Sequence, residues 1–142
     1  RYNYDNNTSS GTNTQHIRYF KNTGSKTAPA FTEQIGSSNP TGGITLNFEP
    51  KIHFADLDRD GDLDLVVAYY SSPYILKVFE NTGSQSSATF TELTGTNSPV
   101  SGISVPYDAV PTSADIDGDG DLDFFLGQSN GTISYFKNTT GE

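Results

Sequence analysis

A nine-residue acidic segment occurs twice in the chain, and it restricts the possible folds more than any other feature. The two copies are residues 56–64 (DLDRDGDLD) and residues 115–123 (DIDGDGDLD), which are 59 residues apart. Between residues 54–64 and residues 113–123, eight of eleven positions are identical. Five carboxylates within nine residues repel one another strongly, so such a segment folds poorly unless a cation neutralises it. A solvated acidic loop would explain neither the fixed spacing nor the second copy.

The net charge of the chain comes almost wholly from these two segments. They hold ten of the 17 acidic residues, so the rest of the chain is nearly neutral, with 8 basic and 7 acidic residues. The excess of acidic residues argues against a nucleic-acid partner, because a phosphate backbone attracts basic surfaces. No apolar run approaches the roughly 18 residues of a membrane-spanning helix, which argues against membrane insertion. The absence of Cys excludes disulfides, thiolate metal sites and a Cys nucleophile.

The repeat extends beyond the acidic segments. With the same shift of 59 residues, 12 of 26 positions match between residues 19–44 and residues 78–103. The matches include Asn-Thr-Gly-Ser at 22–25 and 81–84 and Phe-Thr-Glu at 31–33 and 90–92, and residues 135–139 begin a third copy. Short runs of β-branched, aliphatic and aromatic residues alternate with turn residues, and no segment has a helical pattern of useful length. The sequence therefore predicts an all-β fold built from repeats.

Each unit is predicted to contain short antiparallel strands joined by turns. Residues 51–109 form a complete unit, residues 1–50 a partial unit without its acidic loop, and residues 110–142 a partial unit with one. Together they make about two and a half repeat units. Strands are predicted at residues 1–4, 16–21, 30–34, 51–55, 63–70, 74–80, 89–92, 124–127 and 132–137, with a tight hairpin at Asn130 and Gly131.

The spacing D-x-D-x-D-G-x-x-D places oxygen ligands around a hard cation. Side chains at positions 1, 3 and 5 turn inward, Gly at position 6 permits a sharp turn, position 7 offers a carbonyl and position 9 closes the shell. An all-oxygen ligand set rich in carboxylates favours Ca²⁺ over Mg²⁺ and over Zn²⁺. We therefore predict two Ca²⁺ sites. Their ligands are Asp56, Asp58, Asp60, the carbonyl of Asp62 and Asp64 in the first, and Asp115, Asp117, Asp119, the carbonyl of Asp121 and Asp123 in the second.

The EF-hand is the nearest competing motif, and the sequence argues against it. An EF-hand needs a bidentate Glu at position 12 and a helix on each side of the loop. Position 12 is Val67 in the first segment and Leu126 in the second, and both residues lie in apolar, strand-like runs.

These combined motifs resemble the FG-GAP/VCBS repeat family, which includes the calcium-binding blades of integrin alpha-subunit propellers and many secreted bacterial proteins. The resemblance rests on the acidic loop, the apolar strand and hairpin that follow it, and the Tyr-Phe-x-Asn-Thr-Gly and Phe-Thr-Glu motifs. It implies four-stranded blades with calcium in the loop between the first two strands, and it implies no catalysis. A closed propeller typically needs at least four blades. The units therefore belong to a larger propeller, to a ring completed by several chains, or to an open array that forms filaments.

Candidate catalytic residues are few. His16 and His53 are each isolated in strand-like segments. No G-x-S-x-G nucleophile elbow that leads into a helix is predicted, and no phosphate-binding glycine loop follows a strand. Carboxylate pairs for glycoside hydrolysis could be drawn from Glu33, Glu49, Glu80 and Glu92. Glu33 and Glu92 occupy equivalent repeat positions, which indicates a structural role. We therefore predict that the chain is not an enzyme.

The aromatic residues divide into predicted core positions and predicted surface positions. Repeated positions indicate core for Phe20, Phe79, Phe136, Phe31 and Phe90. Tyrosines at the predicted surface could instead stack on sugar rings, and these are Tyr2, Tyr4, Tyr69, Tyr70 and Tyr74.

The sequence as a whole predicts an extracellular, calcium-binding β-repeat module with a structural or adhesive role. Its expected partners are neighbouring repeats or further copies of itself, and a glycan or a cell-surface protein. The alternatives are a carbohydrate-binding module and a non-catalytic accessory part of a larger secreted enzyme. Four N-x-S/T sequons are candidate glycosylation sites, at Asn6, Asn7, Asn130 and Asn138.

Overall fold

The computed structural model of the chain describes residues 16–71 and 74–139. Nine strands lie in this part of the chain, and the all-β prediction is confirmed. The strands are β1 (Tyr19–Asn22), β2 (Phe31–Gln34), β3 (Phe48–Ala55), β4 (Asp64–Tyr70), β5 (Tyr74–Asn81), β6 (Phe90–Leu93), β7 (Val110–Ala114), β8 (Asp123–Gly127) and β9 (Ile133–Phe136). The helical elements of the described residues are two short 3-10 turns, Gly36–Ser38 and Gly95–Asn97. No helix in the described ranges is long and apolar enough to cross a membrane.

The strands form three separate antiparallel sheets, each built from consecutive strands. The first sheet has the order β1-β2, the second β3-β4-β5-β6 and the third β7-β8-β9. Equivalent strands pair in equivalent registers: Ala55 lies opposite Asp64 in the second sheet, and Ala114 lies opposite Asp123 in the third. The sheets are open, blade-like units, and within the described residues they do not close into a barrel.

Strand β4 is buried on both faces, which explains its continuous apolar sequence. Val66 and Ala68 pack in a core between the second and third sheets, together with Phe124 and Leu126. The alternate residues Leu65, Val67 and Tyr69 pack in a second core, formed with the preceding chain at Ile17, Ile44 and Leu46. The sheets therefore stack face to face, with β4 in the middle. Tyr69 is only 5% exposed, which corrects its prediction as a surface tyrosine.

The core prediction for the repeated phenylalanines holds in the second sheet and is wrong in the first. Phe79 is buried and Phe90 packs beside it in the second core, whereas the equivalent Phe20 and Phe31 are 44% and 68% exposed. Phe79 and Phe90 pack towards the unit that precedes them in the chain. Among the described residues, no unit precedes the first sheet, so Phe20 and Phe31 have no such surface to cover them.

The predicted strands within the described ranges are confirmed, with boundaries that differ by a few residues. Strand β3 begins at Phe48 rather than at Lys51. Phe48 still pairs with Tyr70 of β4, across an irregularity in the register between Phe48 and Lys51. Glu49 lies in this irregularity with a φ of 54°. The hairpin at Asn130 and Gly131 is present, with Gly131 at a φ of 85°. The strand predicted at residues 1–4 lies outside the described residues.

The Asn-Thr-Gly motif forms the turn that leads to the outermost strand. The Asn81 side-chain Oδ1 accepts hydrogen bonds from the backbone N–H groups of Gly83 and Thr89, at 3.1 and 2.9 Å. Asn22 makes the same two bonds to Gly24 and Ala30 in the first sheet. One amide oxygen thus holds both sides of each turn, which gives the repeated sequence a structural reason.

Two side-chain contacts join the first strands of the second and third sheets. His53 Nε2 lies 2.8 Å from Ser113 Oγ, between β3 and β7. Lys51 Nζ lies 3.1 Å from Asp108 Oδ1, next to the start of β7. Burial lowers the pKa of His53, so the neutral imidazole is favoured in this hydrogen bond. His53 is thereby assigned to packing between units.

Candidate metal centre

Both acidic segments form loops between the first two strands of a sheet. Loop 1 (residues 56–64) connects β3 to β4, and loop 2 (residues 115–123) connects β7 to β8. Their last residues, Asp64 and Asp123, are also the first residues of β4 and β8. Position 12 of each loop, Val67 or Leu126, is buried in a strand. The geometry therefore differs from an EF-hand, which has a helix after its loop.

The first Asp of each loop accepts a hydrogen bond from the backbone five residues later. Asp56 Oδ2 accepts a hydrogen bond from the N–H of Gly61 at 3.1 Å, and Asp115 Oδ2 accepts one from the N–H of Gly120 at 3.0 Å. Both glycines have a φ near the left-handed region, 93° and 92°, which side chains disfavour. The Gly at position 6 is therefore explained by the local turn.

The loops bring three carboxylates together in each case. In loop 1 these belong to Asp56, Asp58 and Asp64, and in loop 2 to Asp115, Asp117 and Asp119, with ligand oxygens within 4.8 Å of one another. In loop 1, Oδ1 of Asp60 accepts the N–H of Asp62 at 2.7 Å, and in loop 2, Oδ1 of Asp119 accepts the N–H of Asp121 at 2.8 Å. Each cluster therefore contains three of the five ligands that the spacing predicted.

One oxygen of loop 1 has the environment that a cation would satisfy. Asp56 Oδ1 is buried, and among the described residues it has no hydrogen-bond partner. A carboxylate oxygen removed from water without a donor is costly. The Asp56 side chain is also part of the carboxylate cluster with Asp58 and Asp64. The donor set is all oxygen and anionic, so the residues present fit Ca²⁺.

Asp64 and Asp123 each link their loop, through a hydrogen bond, to the C-terminal end of the third strand of the same sheet. Asp64 is buried, and its Oδ1 accepts the N–H of Asn81 at 2.8 Å while its Oδ2 accepts the N–H of Leu57 at 2.9 Å. Burial raises the pKa of Asp64, and the two N–H donors oppose this rise. Asp123 accepts the N–H of Asn138 at 2.8 Å and the hydroxyl of Tyr135 at 3.0 Å.

The two loops differ in how their charges are balanced. Arg59 belongs to loop 1, but its guanidinium forms an ion pair with Asp121 of loop 2. Lys137 Nζ lies 2.9 Å from Asp117 Oδ2, and its hydrogen bond lowers the pKa of Asp117. Loop 2 therefore receives two basic side chains. Loop 1 contributes its own basic residue to the other loop, so it keeps the larger uncompensated negative charge.

Sequence reasoning missed the role of Arg59 and of the backbone N–H groups at Asn81 and Asn138. Arg59 has a φ of 64°, in the region that Gly118 occupies at the equivalent position of loop 2. The sequence signal for this role was that Arg59 stands at a position where the other copy has Gly118. Its partner Asp121 could not be inferred, because that contact depends on how the second and third sheets pack.

The remaining candidate side chains have structural partners. Glu33 pairs with Arg18 across the first sheet at 2.7 Å, and this hydrogen bond lowers the pKa of Glu33. Glu92 pairs with Lys77 at 2.8 Å, at the equivalent place in the second sheet. Of the sequons, Asn130 is exposed at a hairpin and Asn138 donates to the carbonyl of Leu122 at 3.4 Å. Asn6, Asn7, Tyr2 and Tyr4 lie outside the described residues.

A family model described as an FG-GAP-like repeat matches residues 56–126, which are half of the chain. The chain belongs to the FG-GAP-like repeat family. The resemblance inferred from the motifs is thereby confirmed. In this FG-GAP-like repeat protein, the matched region runs from the first residue of loop 1 into β8, so it contains both loops. No curated protein and no solved structure matches the chain significantly.

Proposed function

We propose that this FG-GAP-like repeat protein is an extracellular calcium-binding module with a structural or adhesive role. One Ca²⁺ binds in each loop, through Asp56, Asp58, Asp60, the carbonyl of Asp62 and Asp64 in loop 1. The corresponding ligands in loop 2 are Asp115, Asp117, Asp119, the carbonyl of Asp121 and Asp123. The observation that carries the proposal is the buried, unpartnered Oδ1 of Asp56 among gathered carboxylates.

The bound ion would supply positive charge. This charge would offset the repulsion among the loop carboxylates and so favour one ordered conformation of the loop. The loop carboxylates repel one another in the absence of a cation, which favours open loop conformations. Asp64 also holds the N–H of Asn81 at the end of β5. An ordered loop therefore holds the start of β4 against the end of β5, so metal binding is coupled to folding of the sheet.

The proposal includes the absence of catalysis. Glu33 and Glu92, the equivalent glutamates, are occupied in cross-strand ion pairs. His53 is engaged with Ser113, and burial lowers its pKa, whereas an acidic partner would raise it. These contacts support structural roles for the residues that the sequence offered as catalytic candidates.

Calcium titration of the full chain tests the proposal. Calorimetry should detect two sites, and thermal unfolding should shift to higher temperature in Ca²⁺ than in a chelator. At free Ca²⁺ about 100 times the dissociation constant, each site should add about 2.7 kcal/mol to the free energy of unfolding. Mg²⁺ at the same concentration should stabilise less, because it requires a smaller octahedral shell.

Matched loop variants make this test specific. Asp58→Asn and Asp117→Asn should each remove one calorimetric site. Asp62→Asn removes the same charge but keeps the backbone carbonyl that is the proposed ligand, so it should retain both sites. Loss of the loop 1 site in Asp62→Asn, or equal unfolding temperatures in Ca²⁺ and chelator, would contradict the proposal.

Self-association through open sheet edges is a second part of the proposal, and the strand order supports it. Strand β5 is paired on both sides, by β4 and β6. Among the described residues, the equivalent strands β1 and β9 are each paired on one side only. An unpaired edge can accept a strand from another chain. Neighbouring repeats or further copies of this chain are therefore the proposed partners.

Light scattering in Ca²⁺ and after chelation tests self-association. We expect species larger than the 15.3 kDa monomer in Ca²⁺ and a return to smaller species after chelation, because an ordered loop keeps the edges in register. A monomer in both conditions would overturn the self-association proposal and would leave the calcium sites to the calorimetric test.

A further inference from the structure

Four aromatic rings form an exposed cluster at the end of the second sheet opposite loop 1. The aromatic cluster consists of Phe48 at the start of β3, Tyr70 at the end of β4, Tyr74 at the start of β5, and Tyr107 before β7. Consecutive ring centroids lie 6.5, 5.1 and 5.2 Å apart. Phe48, Tyr70 and Tyr107 are 38%, 39% and 69% exposed. Contiguous exposed aromatic surface of this kind marks a candidate binding site.

The rings are inclined to one another rather than aligned as a flat platform. The interplanar angles along the series are 51°, 58° and 67°. With Glu49 they line a cavity of about 380 Å³, within the range of about 300–1,000 Å³ that is usual for small-molecule sites. The cavity therefore offers a compact group parts of several rings rather than one flat surface. Binding of a sugar ring would instead be favoured by a flat aromatic surface on which the sugar could stack.

Negative charge lies at the same place. Glu49 lines the cavity, is exposed, and makes no ion pair with any residue in ranges 16–71 and 74–139. Asp108 adjoins Tyr107 and pairs with Lys51 at 3.1 Å. Both acidic residues have a left-handed backbone, with φ of 54° and 55°, which costs free energy for a residue with a side chain. Burial raises the pKa of Tyr74, and the carboxylates of Glu49 and Asp108 raise it further, while a hydrogen bond with the backbone of Asp108 opposes the rise.

We propose that the aromatic cluster, with Glu49, binds a small quaternary ammonium compound such as choline. The negative faces of aromatic rings attract a cation, and several rings around one cavity are the arrangement that recognises quaternary ammonium groups. Charge complementarity with Glu49 favours a cation over a neutral ligand. A primary ammonium brings three N–H donors that need acceptors, whereas a quaternary ammonium brings none. Glu49 can pair with either ion, so the preference for the quaternary ammonium rests on the four aromatic rings that line the cavity.

Binding of choline to the full chain, followed by NMR at constant Ca²⁺ and ionic strength, tests this site. We expect saturable shifts of the Tyr70, Tyr74 and Tyr107 resonances, with a dissociation constant on the order of 1 mM. The uncharged isostere 3,3-dimethylbutanol and the primary amine ethanolamine should each bind more weakly. Equal binding of 3,3-dimethylbutanol would show a purely hydrophobic pocket and would overturn the proposal.

Variants separate the cluster from other aromatic surface. Tyr107→Leu and Glu49→Gln should each weaken choline binding by about two- to fivefold, while Tyr107→Phe should preserve it. Tyr19→Leu, which changes a tyrosine on β1 that is 36% exposed and lies outside the aromatic cluster, should have no effect. A Tyr107→Leu variant that binds choline as tightly as the unmodified chain would overturn the proposal. So would glycan binding that depends on Tyr107 in a chain that does not bind choline.

Discussion

At the scale of single residues, Asp64 has a role that its spacing in the loop does not reveal. It is buried, and its two oxygens accept backbone N–H groups from Leu57 and from Asn81, which are far apart in sequence. The same carboxylate is a proposed calcium ligand. Asp64 is therefore expected to matter for folding even without calcium, unlike the exposed Asp58.

The substitution Asp64→Asn should lower the free energy of unfolding by about 1–3 kcal/mol in calcium-free buffer. Asn has only one acceptor oxygen, so its amide N–H₂ must face one of the two backbone donors. The matched control is Asp62→Asn, which removes the same charge from the same loop. This control should be neutral or slightly stabilising, because it reduces repulsion among the loop carboxylates. Urea unfolding measures both variants, and equal stabilities would show that the two hydrogen bonds contribute nothing.

At the scale of elements, the turn before the outermost strand is built alike in the first and second sheets. Asn22 and Asn81 each bind two backbone N–H groups across their turn. Gly24 and Gly83 let the two sides of the turn approach closely. The repeated Asn-Thr-Gly sequence is thus a requirement of local packing, which is why it could be located from the sequence.

Replacing the glycine of this turn should destabilise the second sheet. A Cβ at Gly83 would overlap the carbonyl oxygen of Ser87 and would lie 2.8 Å from the backbone nitrogen of Thr89. We expect Gly83→Ala to cost about 1–3 kcal/mol in the free energy of unfolding. A Cβ at Gly43 would meet no atom within 4 Å, and the φ of Gly43 is not positive. Gly43→Ala should therefore be neutral or stabilising by up to about 1 kcal/mol, as judged by urea unfolding. A Gly83→Ala variant as stable as Gly43→Ala would contradict the close approach.

At the scale of the whole molecule, the two cores share strand β4. Leu126 of β8 is fully buried in the same core as Val66 and Val78 of the second sheet. His53 and Ser113 add a polar contact between the same two sheets. The second and third sheets should therefore unfold together rather than as independent units.

The substitution Leu126→Ala tests this coupling. It should lower the free energy of unfolding by about 2–5 kcal/mol and should speed hydrogen exchange in β4 and β5 as well as in β8. Val110→Ala, at a half-exposed position on β7, should have a much smaller effect. Faster exchange confined to the third sheet would show that the sheets unfold separately.

The features that depend on local spacing could be predicted from the residues alone. These are the repeat, the all-β fold, the strand positions and the two loops, because residue period and turn chemistry act over a few neighbouring residues. Tertiary packing was needed to know which repeated positions are covered. Phe79 is buried and Phe20 is exposed, because burial depends on whether another sheet packs against that side. Tertiary packing also decided that Arg59 reaches Asp121 and that Tyr107 meets Tyr74. Such contacts join residues distant in sequence, and their geometry is set by how the stacked sheets pack.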